Sequence, residues 1–419
     1  MMRGIAVWRA LSRGMGTVVL AFAVCASAGV ASAGGEPAPP FRHGINITRL
    51  FDSATGRKLP GTTAIFASWT REISPAELQR LRAAGFDFIR LPVDPGVLLS
   101  ADAGQRQQAL GEISNFLAAA MQAGFAVIVD LHPLPQDRNW SPSRIRDAPD
   151  GPNFARYTAL AEQFAAQLSA MHSKRVALEL MNEPQRACVK TLGADWSVFQ
   201  AQLYSALRRS APQLSLVVTG GCNSSIDGLA DLNNIPAGDK NLFVMVHFYE
   251  PFQFTHQGAA WSPFVKYLAG LRYPVRDEDR DAVKTKTKEW IERHGPSGSA
   301  SDAAWDQAQS QLRNYFATPY TRETIARRFD IVAHWADQMK IPRDHIVIGE
   351  FGVLDEGGGL GTSPGAESAR DQWLHDVASA ASQRGFGWAI WGYHGAFGIV
   401  SEDPSRTLDP GVLRALFGP

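Results

Sequence analysis

Short apolar runs recur along the whole chain, and a segment with helical periodicity follows most of them. Most positions within a run are apolar, which is typical of parallel strands that are buried on both faces. We assign eight such runs as strands, at residues 41–47, 86–92, 126–132, 175–184, 214–220, 241–249, 345–352 and 385–391. The pattern therefore predicts a parallel sheet that is covered by helices.

The segments between the runs carry signals for helix ends. Ser74 and Pro75, with Glu77 three residues after the serine, predict a helix start, and Gly85 predicts the end of that helix. Eight strands that alternate with helices through short, right-handed connections predict a (β/α)8 barrel, also called a TIM barrel.

Residues 250–321 interrupt the alternation. The segment begins with aromatic residues and becomes strongly charged near residues 276–293. We interpret it as an enlarged connection after the sixth strand, containing some helix, rather than as a separate domain. The sequence thus predicts a single barrel domain over residues 34–419, with this insertion.

Residues 1–33 have the features of a secretory signal peptide. Three arginines within the first 13 residues precede a mostly apolar stretch at residues 18–30, and Ala31, Ser32 and Ala33 fit a cleavage site. The alternative is an uncleaved membrane anchor, for which the apolar stretch is short. We predict cleavage and a secreted or periplasmic protein, without stable membrane insertion.

The charge of the chain is balanced, with 41 basic and 41 acidic residues and an isoelectric point near 7.2. This balance gives no electrostatic footprint for nucleic acid or for an anionic membrane. A neutral polymer suits such a surface better than a polyanion does. We expect a monomer that binds a neutral poly- or oligosaccharide.

Two cysteines, Cys188 and Cys222, lie outside the predicted signal peptide. They follow the fourth and fifth predicted strands, which would be neighbours in a barrel. An oxidising compartment makes a disulfide between the two loops a reasonable prediction. Two unpaired buried thiols are the alternative.

Polar residues cluster at the carboxyl ends of the predicted strands, where the active sites of such barrels lie. They are Arg90, His132, Asn182, Glu183, His247, Tyr249, Glu350 and Trp391. Glu183 and Glu350 are suited to act as a general acid and a nucleophile, because strand ends are rigid and open to substrate. Each residue by itself could be a solvated, ion-paired or core residue, but together they predict a site.

Other residues add less to this picture. Glu179 lies deeper on the fourth strand and is interpreted as a structural carboxylate. Five loop aromatics either stack on sugars or pack within loops: Trp69, Trp140, Phe252, Phe254 and Trp261. The sequence contains no metal-binding motif such as His-x-x-Glu-His and no cysteine cluster, so we predict neither a metal nor another cofactor.

The motifs at the strand ends resemble glycoside hydrolase family 5, the cellulase-like retaining glycosidases. The resemblance is carried, in order, by Phe88–Pro92, Asp130–His132, Met181–Pro184, His247–Tyr249, Ile348–Gly352 and Trp388–Trp391. It implies that Glu183 is the acid/base and that Glu350 is the nucleophile.

The resemblance also suggests roles for the residues around the two glutamates. Arg90 and Tyr249 would hold Glu350 in its ionised form, and Asn182 would bond the sugar 2-hydroxyl. His132 and His247 would bind sugar hydroxyls or orient the carboxylates, and Trp391 would stack on a pyranose ring.

The resemblance implies a secreted retaining glycosidase, and endo-β-1,4-glucanase is the activity we expect. The same residues would serve a β-mannanase, a xyloglucanase, a β-1,3- or β-1,6-glucanase or an exopolysaccharide hydrolase, because loops rather than catalytic residues select the sugar. A catalytically silent carbohydrate-binding barrel is the alternative from another class. An esterase is disfavoured, because the chain lacks a Gly-x-Ser-x-Gly motif at a strand-to-helix turn.

Overall fold

The computed structural model describes residues 41–52, 65–66, 68–184, 195–232, 235–236, 238–354 and 368–418. Residues 37–419 group as one compact unit. The predicted signal peptide at residues 1–33 lies outside the described residues, and so does Cys188.

Eight parallel strands form a closed barrel in which each strand pairs with the next one in the sequence and β8 pairs with β1. The strands are β1 His43–Asn46, β2 Phe88–Val93, β3 Ala126–Leu131, β4 Val176–Glu179, β5 Ser215–Thr219, β6 Leu242–His247, β7 Ile346–Phe351 and β8 Gly387–Trp391. The predicted (β/α)8 barrel is therefore confirmed.

The described helical segments alternate with the strands. They are α1 Pro75–Ala83, α2 Pro95–Ser100, α3 Ala103–Gln122, α4 Pro142–Ile145, α5 Pro152–Ser169, α6 Trp196–Ser210, α7 Gly221–Ser224, α8 Phe252–Thr255, α9 Arg280–His294, α10 Ser299–Ala317, α11 Arg322–Met339, α12 Ala369–Gln383 and α13 Pro410–Phe417. Short 3₁₀ turns span Trp69–Arg71, Ile226–Asp231, Asp277–Asp279 and Arg343–His345. The connection after β6 contains α8, α9 and α10. None of the described helices is long and apolar enough to cross a lipid bilayer.

The start of α1 shows how local sequence sets these elements. The Ser74 side chain accepts a hydrogen bond from the Glu77 backbone N–H, and the Glu77 carboxylate accepts one from the Ser74 N–H at 2.7 Å. This capping box satisfies two donors that the first helical turn leaves without partners. The predicted helix start is therefore present.

The interior of the barrel changes from apolar to charged along the strands. On the side of the strands' amino-terminal ends, the interior is a cluster of buried apolar side chains, among them Phe88, Ile128 and Met245. Alternate residues on a strand share one face, so Arg90 and Asp130 lie two positions further on that face, toward the carboxyl ends. The apolar layers provide a rigid base for the charged layer above them.

The fourth strand ends earlier than predicted. Its ladder stops at Glu179, whereas the sequence pattern extends the strand to residue 184. Leu180 and Asn182 still donate backbone hydrogen bonds to the neighbouring strands, to Val217 and Leu131 respectively. Glu183 then adopts a left-handed backbone conformation with φ of 38°. Regular alternation is therefore lost before Glu183, and strand parity does not relate it to Glu179.

Candidate active site

One guanidinium group organises the carboxyl end of the barrel. Arg90, on β2, is completely buried and donates two hydrogen bonds to Glu179, at 2.7 and 2.8 Å. It also contacts Asp130 at 2.9 Å and Glu350 at 2.7 Å. Burial alone would lower the pKa of Arg90, but the three carboxylates raise it well above its usual value. Glu179 is thus a structural carboxylate, as interpreted from the sequence.

Glu350, on β7, is held by two donors. Arg90 Nη1 bonds Oε1 at 2.7 Å, and the Tyr249 hydroxyl bonds Oε2 at 3.1 Å. Burial and the charge of Glu350 raise the pKa of Tyr249 well above its usual value, so the phenol remains a proton donor. The two contacts hold both carboxylate oxygens of Glu350 in fixed positions. The glutamate is 5% exposed, so it faces the site with little hydration.

Glu183 lies opposite Glu350 and is less buried. Its side chain is 27% exposed, compared with 6% for that of Glu350. His247, on β6, lies between them, with Nδ1 at 3.1 Å from Glu183 Oε1 and 3.5 Å from Glu350 Oε2. Burial lowers the pKa of His247 to about 4. Near neutral pH the imidazole is therefore uncharged, and its Nδ1 atom can form a hydrogen bond with either carboxylate.

The three side chains also form a cluster that could hold a metal ion. Within the described part of the chain, one ligand atom each from Glu183, His247 and Glu350 lie within 4.8 Å of one another. The guanidinium of Arg90 already neutralises Glu350, however, which works against a second cation. The donor set suits proton transfer better than metal binding.

His132 and Asn182 lie beside this centre. The Nδ1 atom of His132 is 2.7 Å from Asp130, and its Nε2 is 3.3 Å from the Asn182 amide nitrogen. Asn182 also accepts a hydrogen bond from Arg90 at 2.9 Å. The ring of Trp391, at the end of β8, runs nearly parallel to that of His132, with centroids 5.8 Å apart. All eight residues predicted from the strand ends are therefore gathered at one end of the barrel.

Two members of the network were not assigned a role from the sequence. Asn46, on β1, accepts a hydrogen bond from Arg90 at 3.0 Å and donates to the carbonyl oxygens of Gly349 and Ile390. Asp130 contacts both Arg90 and His132. Asp130 lies in the Asp130–His132 motif, two residues before His132, and this position could have indicated a role in the site. Asn46 lies near the end of a short strand that also contains polar residues, Arg42 and His43 among the predicted 41–47, so its signal is weak.

Of the loop aromatics considered in the sequence, three are packing residues. Trp69, Trp140 and Phe254 are buried. Phe252 and Trp261 remain 42% and 62% exposed and follow β6. Phe252 stacks on His256 with ring centroids 4.0 Å apart, and His256 in turn contacts Tyr249 edge to face. These two exposed rings are the candidates for contact with a sugar.

Cys222 lies at the carboxyl end of β5 and is disulfide-bonded. Cys188 lies outside the described residues, so the pairing of these two cysteines stays a prediction. The residues around Cys222 have an unusual backbone, because Cys222, Asn223 and Ser224 all adopt left-handed conformations.

The carboxyl ends of the strands are where the active sites of (β/α)8 barrels lie, and two facing carboxylates are what most glycosidases use for catalysis. The family model for cellulase (glycosyl hydrolase family 5) matches residues 52–396 of the chain. The chain therefore belongs to glycosyl hydrolase family 5.

Two relatives illustrate the level of similarity. Endoglucanase 3 from Fibrobacter succinogenes is 23% identical over 371 residues, which cover 86% of this chain and 50% of that protein. Endoglucanase C from Acetivibrio thermocellus is 24% identical over 335 residues, which cover 79% of this chain and 87% of that protein. The chain thus spans about half of the first relative, and it spans 31% of a third, Endoglucanase H from Acetivibrio thermocellus.

Solved structures share the fold. The cellulose synthase subunit Z of Clostridioides difficile has a TM-score of 0.63 and 22% identity, over 90% of this chain and 99% of that chain. Cel5A of Thermotoga maritima, in complex with cellobiose, has a TM-score of 0.63 and 20% identity, over 91% and 98% of the two chains.

Proposed function

We propose that the protein is a secreted, monomeric glycosidase that cleaves internal β-1,4 bonds of a glucan with retention of configuration. The observation that carries the proposal is the position of Glu183 and Glu350, whose carboxylate oxygens approach within 4.8 Å. Retaining enzymes need carboxyl groups about 5–5.5 Å apart, whereas inverting enzymes need about 6.5–9.5 Å to admit a water molecule. The spacing favours direct attack by one carboxylate.

In the first step, Glu350 attacks the anomeric carbon and Glu183 protonates the departing glycosidic oxygen. The hydrogen bonds from Arg90 and Tyr249 fix the position and direction of the Glu350 carboxylate. The C1–O bond to the leaving sugar breaks as the bond from C1 to the Glu350 oxygen forms. Glu183, which is more exposed, is where the departing sugar and the incoming water can reach.

In the second step, Glu183 takes a proton from water, and the resulting nucleophile attacks C1 of the glycosyl-enzyme. The bond between C1 and Glu350 breaks, and the carboxylate returns to its contacts with Arg90 and Tyr249. His247 supports both steps because its uncharged ring lies within 3.5 Å of each carboxylate. Asn182, fixed by Arg90, is available for the sugar 2-hydroxyl.

The choice of a β-1,4-glucan rests on the relatives. Several are named endoglucanases, and one solved neighbour holds cellobiose. Another structure of that same neighbour holds mannotriose, and a weaker relative is named a probable glucan 1,3-beta-glucosidase. β-Mannanase, xyloglucanase, β-1,3- or β-1,6-glucanase and exopolysaccharide hydrolase activities are therefore retained as alternatives for the substrate panel. A silent carbohydrate-binding barrel is disfavoured by the intact pair of carboxylates.

The first experiment measures oligosaccharide release from a panel of β-glycans. We expect Glu350→Ala to lower kcat by about 10⁴-fold or more, because covalent attack is lost. Azide should then restore cleavage of an activated glycoside and give the inverted glycosyl azide. Glu289→Ala, on the exposed face of α9, is the matched control and should retain full activity. Unchanged activity in Glu350→Ala would end the assignment.

A second variant separates the roles of the two glutamates. Glu183→Ala removes general acid catalysis, which typically contributes about 10²–10⁴-fold. Aryl glycosides with good leaving groups need little protonation, so their first step should be spared relative to that of natural glucans. Equal losses on both kinds of substrate would argue against an acid role for Glu183.

A further inference from the structure

A cleft lies on the carboxyl-terminal side of β2 and β3. It has a volume of about 610 Å³ and is formed by the end of α2, the connection after β3 and the first turn of α5. We name it the arginine cleft, because Arg138, Arg144 and Arg156 line it. Its size falls within the range of ligand-binding clefts.

No carboxylate in the described part of the chain pairs with the three arginines of the cleft. All three arginines are exposed, and among the described residues no carboxylate lies within 4.0 Å of their guanidinium groups. The nearest acidic residue in the sequence, Asp137, directs one oxygen at the backbone N–H groups of Asn139 and Trp140, at 2.8 and 2.9 Å. The cleft therefore concentrates positive charge on a chain whose total charge is zero.

The wall of the cleft is fixed by packing. Trp140 is 5% exposed, and its indole N–H donates to Ser100 at 3.0 Å. The Arg156 guanidinium lies 4.6 Å from the Trp140 ring centre and donates to the Leu99 carbonyl oxygen at 2.9 Å. Asn153 donates to the Arg144 carbonyl oxygen at 3.0 Å, which ties α5 to the loop. The surface that carries the arginines is thus ordered before a ligand arrives.

We propose that the arginine cleft binds an anionic substituent of the polysaccharide, a sugar-borne carboxylate above all. Guanidinium groups pair with carboxylates through two parallel hydrogen bonds, and they remain charged at any physiological pH. Trp140 is eight residues after His132, so the cleft lies at most about 29 Å from the active site. One polymer chain can therefore occupy both places. The inference rests on the proposed function, since it assumes a glycan substrate.

The test compares two polymers with the same backbone and different charge, hydroxyethyl cellulose and carboxymethyl cellulose. The variant is Arg138→Gln combined with Arg144→Gln, which leaves the packed Arg156 in place. We expect its KM for the carboxymethyl polymer to rise about five-fold, from the loss of two exposed ion pairs, with kcat unchanged. Its KM for the neutral polymer should not change. In 0.5 M NaCl the wild-type KM for the carboxymethyl polymer should approach that of the variant.

The matched control is Arg42→Gln combined with Lys240→Gln. These exposed residues precede β1 and β6, at the opposite end of the barrel, and the change in net charge is the same. Equal effects of the two double variants would overturn the proposal, because total charge would then explain the result. A rise in KM for the neutral polymer would also overturn it.

A binding assay separates this inference from the proposed activity. Glu350→Gln protein, with and without the cleft substitutions, is run in native gels that contain carboxymethyl cellulose, cellulose sulfate or poly-glutamate. Retardation by carboxymethyl cellulose that depends on Arg138 and Arg144 supports the cleft, even if no glycan is hydrolysed. Stronger retardation by cellulose sulfate would identify sulfate esters as the anion recognised. Equal dependence on the two arginines with poly-glutamate would overturn the glycan site and show general polyanion binding.

Discussion

Arg90 illustrates how one side chain can determine a whole site. Its five N–H donors serve Glu179, Glu350, Asn46 and Asn182, and it also forms an ion pair with Asp130. A buried carboxylate without a partner is costly, because ionised groups lose their hydration. The guanidinium therefore stabilises the fold and holds the candidate nucleophile in place at the same time. A residue with fewer donors cannot satisfy all of these acceptors.

We predict that Arg90→Lys keeps the charge but loses both stability and activity. Lysine has three donors on one nitrogen, so the two-pronged contact with Glu179 cannot be made together with the bond to Glu350. The free energy of unfolding should fall by about 3 kcal/mol, as expected when a buried ion pair is broken. The value of kcat should fall by about 10²-fold, because Glu350 shifts in position. Denaturant unfolding and initial rates measure the two effects.

Arg80→Lys is the control for this prediction. Arg80 is exposed on α1, and such substitutions usually change stability by less than about 0.5 kcal/mol. If Arg90→Lys were as stable and active as this control, the prediction would be wrong. The contacts of Arg90 would then result from the packing of the barrel and would not stabilise it.

At the residue scale, the sequence showed which residues lie at the strand ends. It was less informative about the contacts that these residues make. The position of Glu350 follows from the seventh apolar run, whereas its contacts with Arg90 and Tyr249 were expected only from the family resemblance. The left-handed backbone of Glu183 leaves no mark in residue type, because glycine or asparagine is the usual signal for it. Asn46 also gave only a weak signal, since one polar residue in a short strand has many explanations.

At the scale of elements, apolar runs predicted all eight strands because parallel strands are buried on both faces. The end of β4 was misjudged for a physical reason. Leu180 and Met181 are as buried as strand residues, but the chain there leaves the regular ladder while it keeps hydrogen bonds to both neighbours. Hydrophobicity reports burial and does not report pairing.

Close contact between β6 and β7 gives a prediction at this scale. A Cβ atom on Gly349 would lie 1.7 Å from the sulfur of Met245, inside the barrel. We expect Gly349→Ala to lower the free energy of unfolding by about 1–3 kcal/mol through overpacking. Activity should fall too, because the Gly349 carbonyl accepts a hydrogen bond from Asn46 and Glu350 follows it directly.

A double-mutant cycle with Met245→Ala tests the cause. The double variant should be at least about 1 kcal/mol more stable than the sum of the single effects predicts, because the clash is relieved. Gly111→Ala is the control, since no atom lies within 4 Å of the added Cβ in α3. Additive losses would show that backbone conformation, rather than the contact with Met245, requires glycine at this position.

At the scale of the whole molecule, balanced charge conceals an uneven distribution. The three arginines of the arginine cleft and the charged layer inside the barrel coexist with a net charge of zero. The balanced net charge favours a neutral ligand, but a net charge gives only the sum and not the positions of the charges. Local concentration depends on which loops and helices the fold brings together, and this requires the structure.

Buried histidines also couple the stability of the molecule to pH. Burial lowers the pKa of His256 to about 3, from an ordinary value of 6.5. Between these values the unfolded chain binds a proton that the folded chain does not, so this group lowers stability as pH falls from 6.5 toward 3. Asp87 acts in the opposite direction, because burial raises its pKa to about 6. The pH dependence of wild-type stability is therefore the sum of the contributions of several titrating groups. The contribution of His256 is obtained by comparing the wild type with a variant that lacks this histidine.

We predict that His256→Asn removes the contribution of one titrating group to the pH dependence of the free energy of unfolding. Between pH 6 and 4, the free energy of unfolding of the wild type should fall more steeply than that of the variant, by about 1.4 kcal/mol per pH unit. Asparagine still offers a partner to Thr255, which contacts His256 Nδ1 at 2.9 Å. Denaturant unfolding at several pH values gives both slopes. His334→Asn, which replaces an exposed imidazole, is the control, and its curve should follow that of the wild type. Parallel curves for wild type and His256→Asn would mean that His256 takes up its proton without unfolding, through opening of the region around Tyr249.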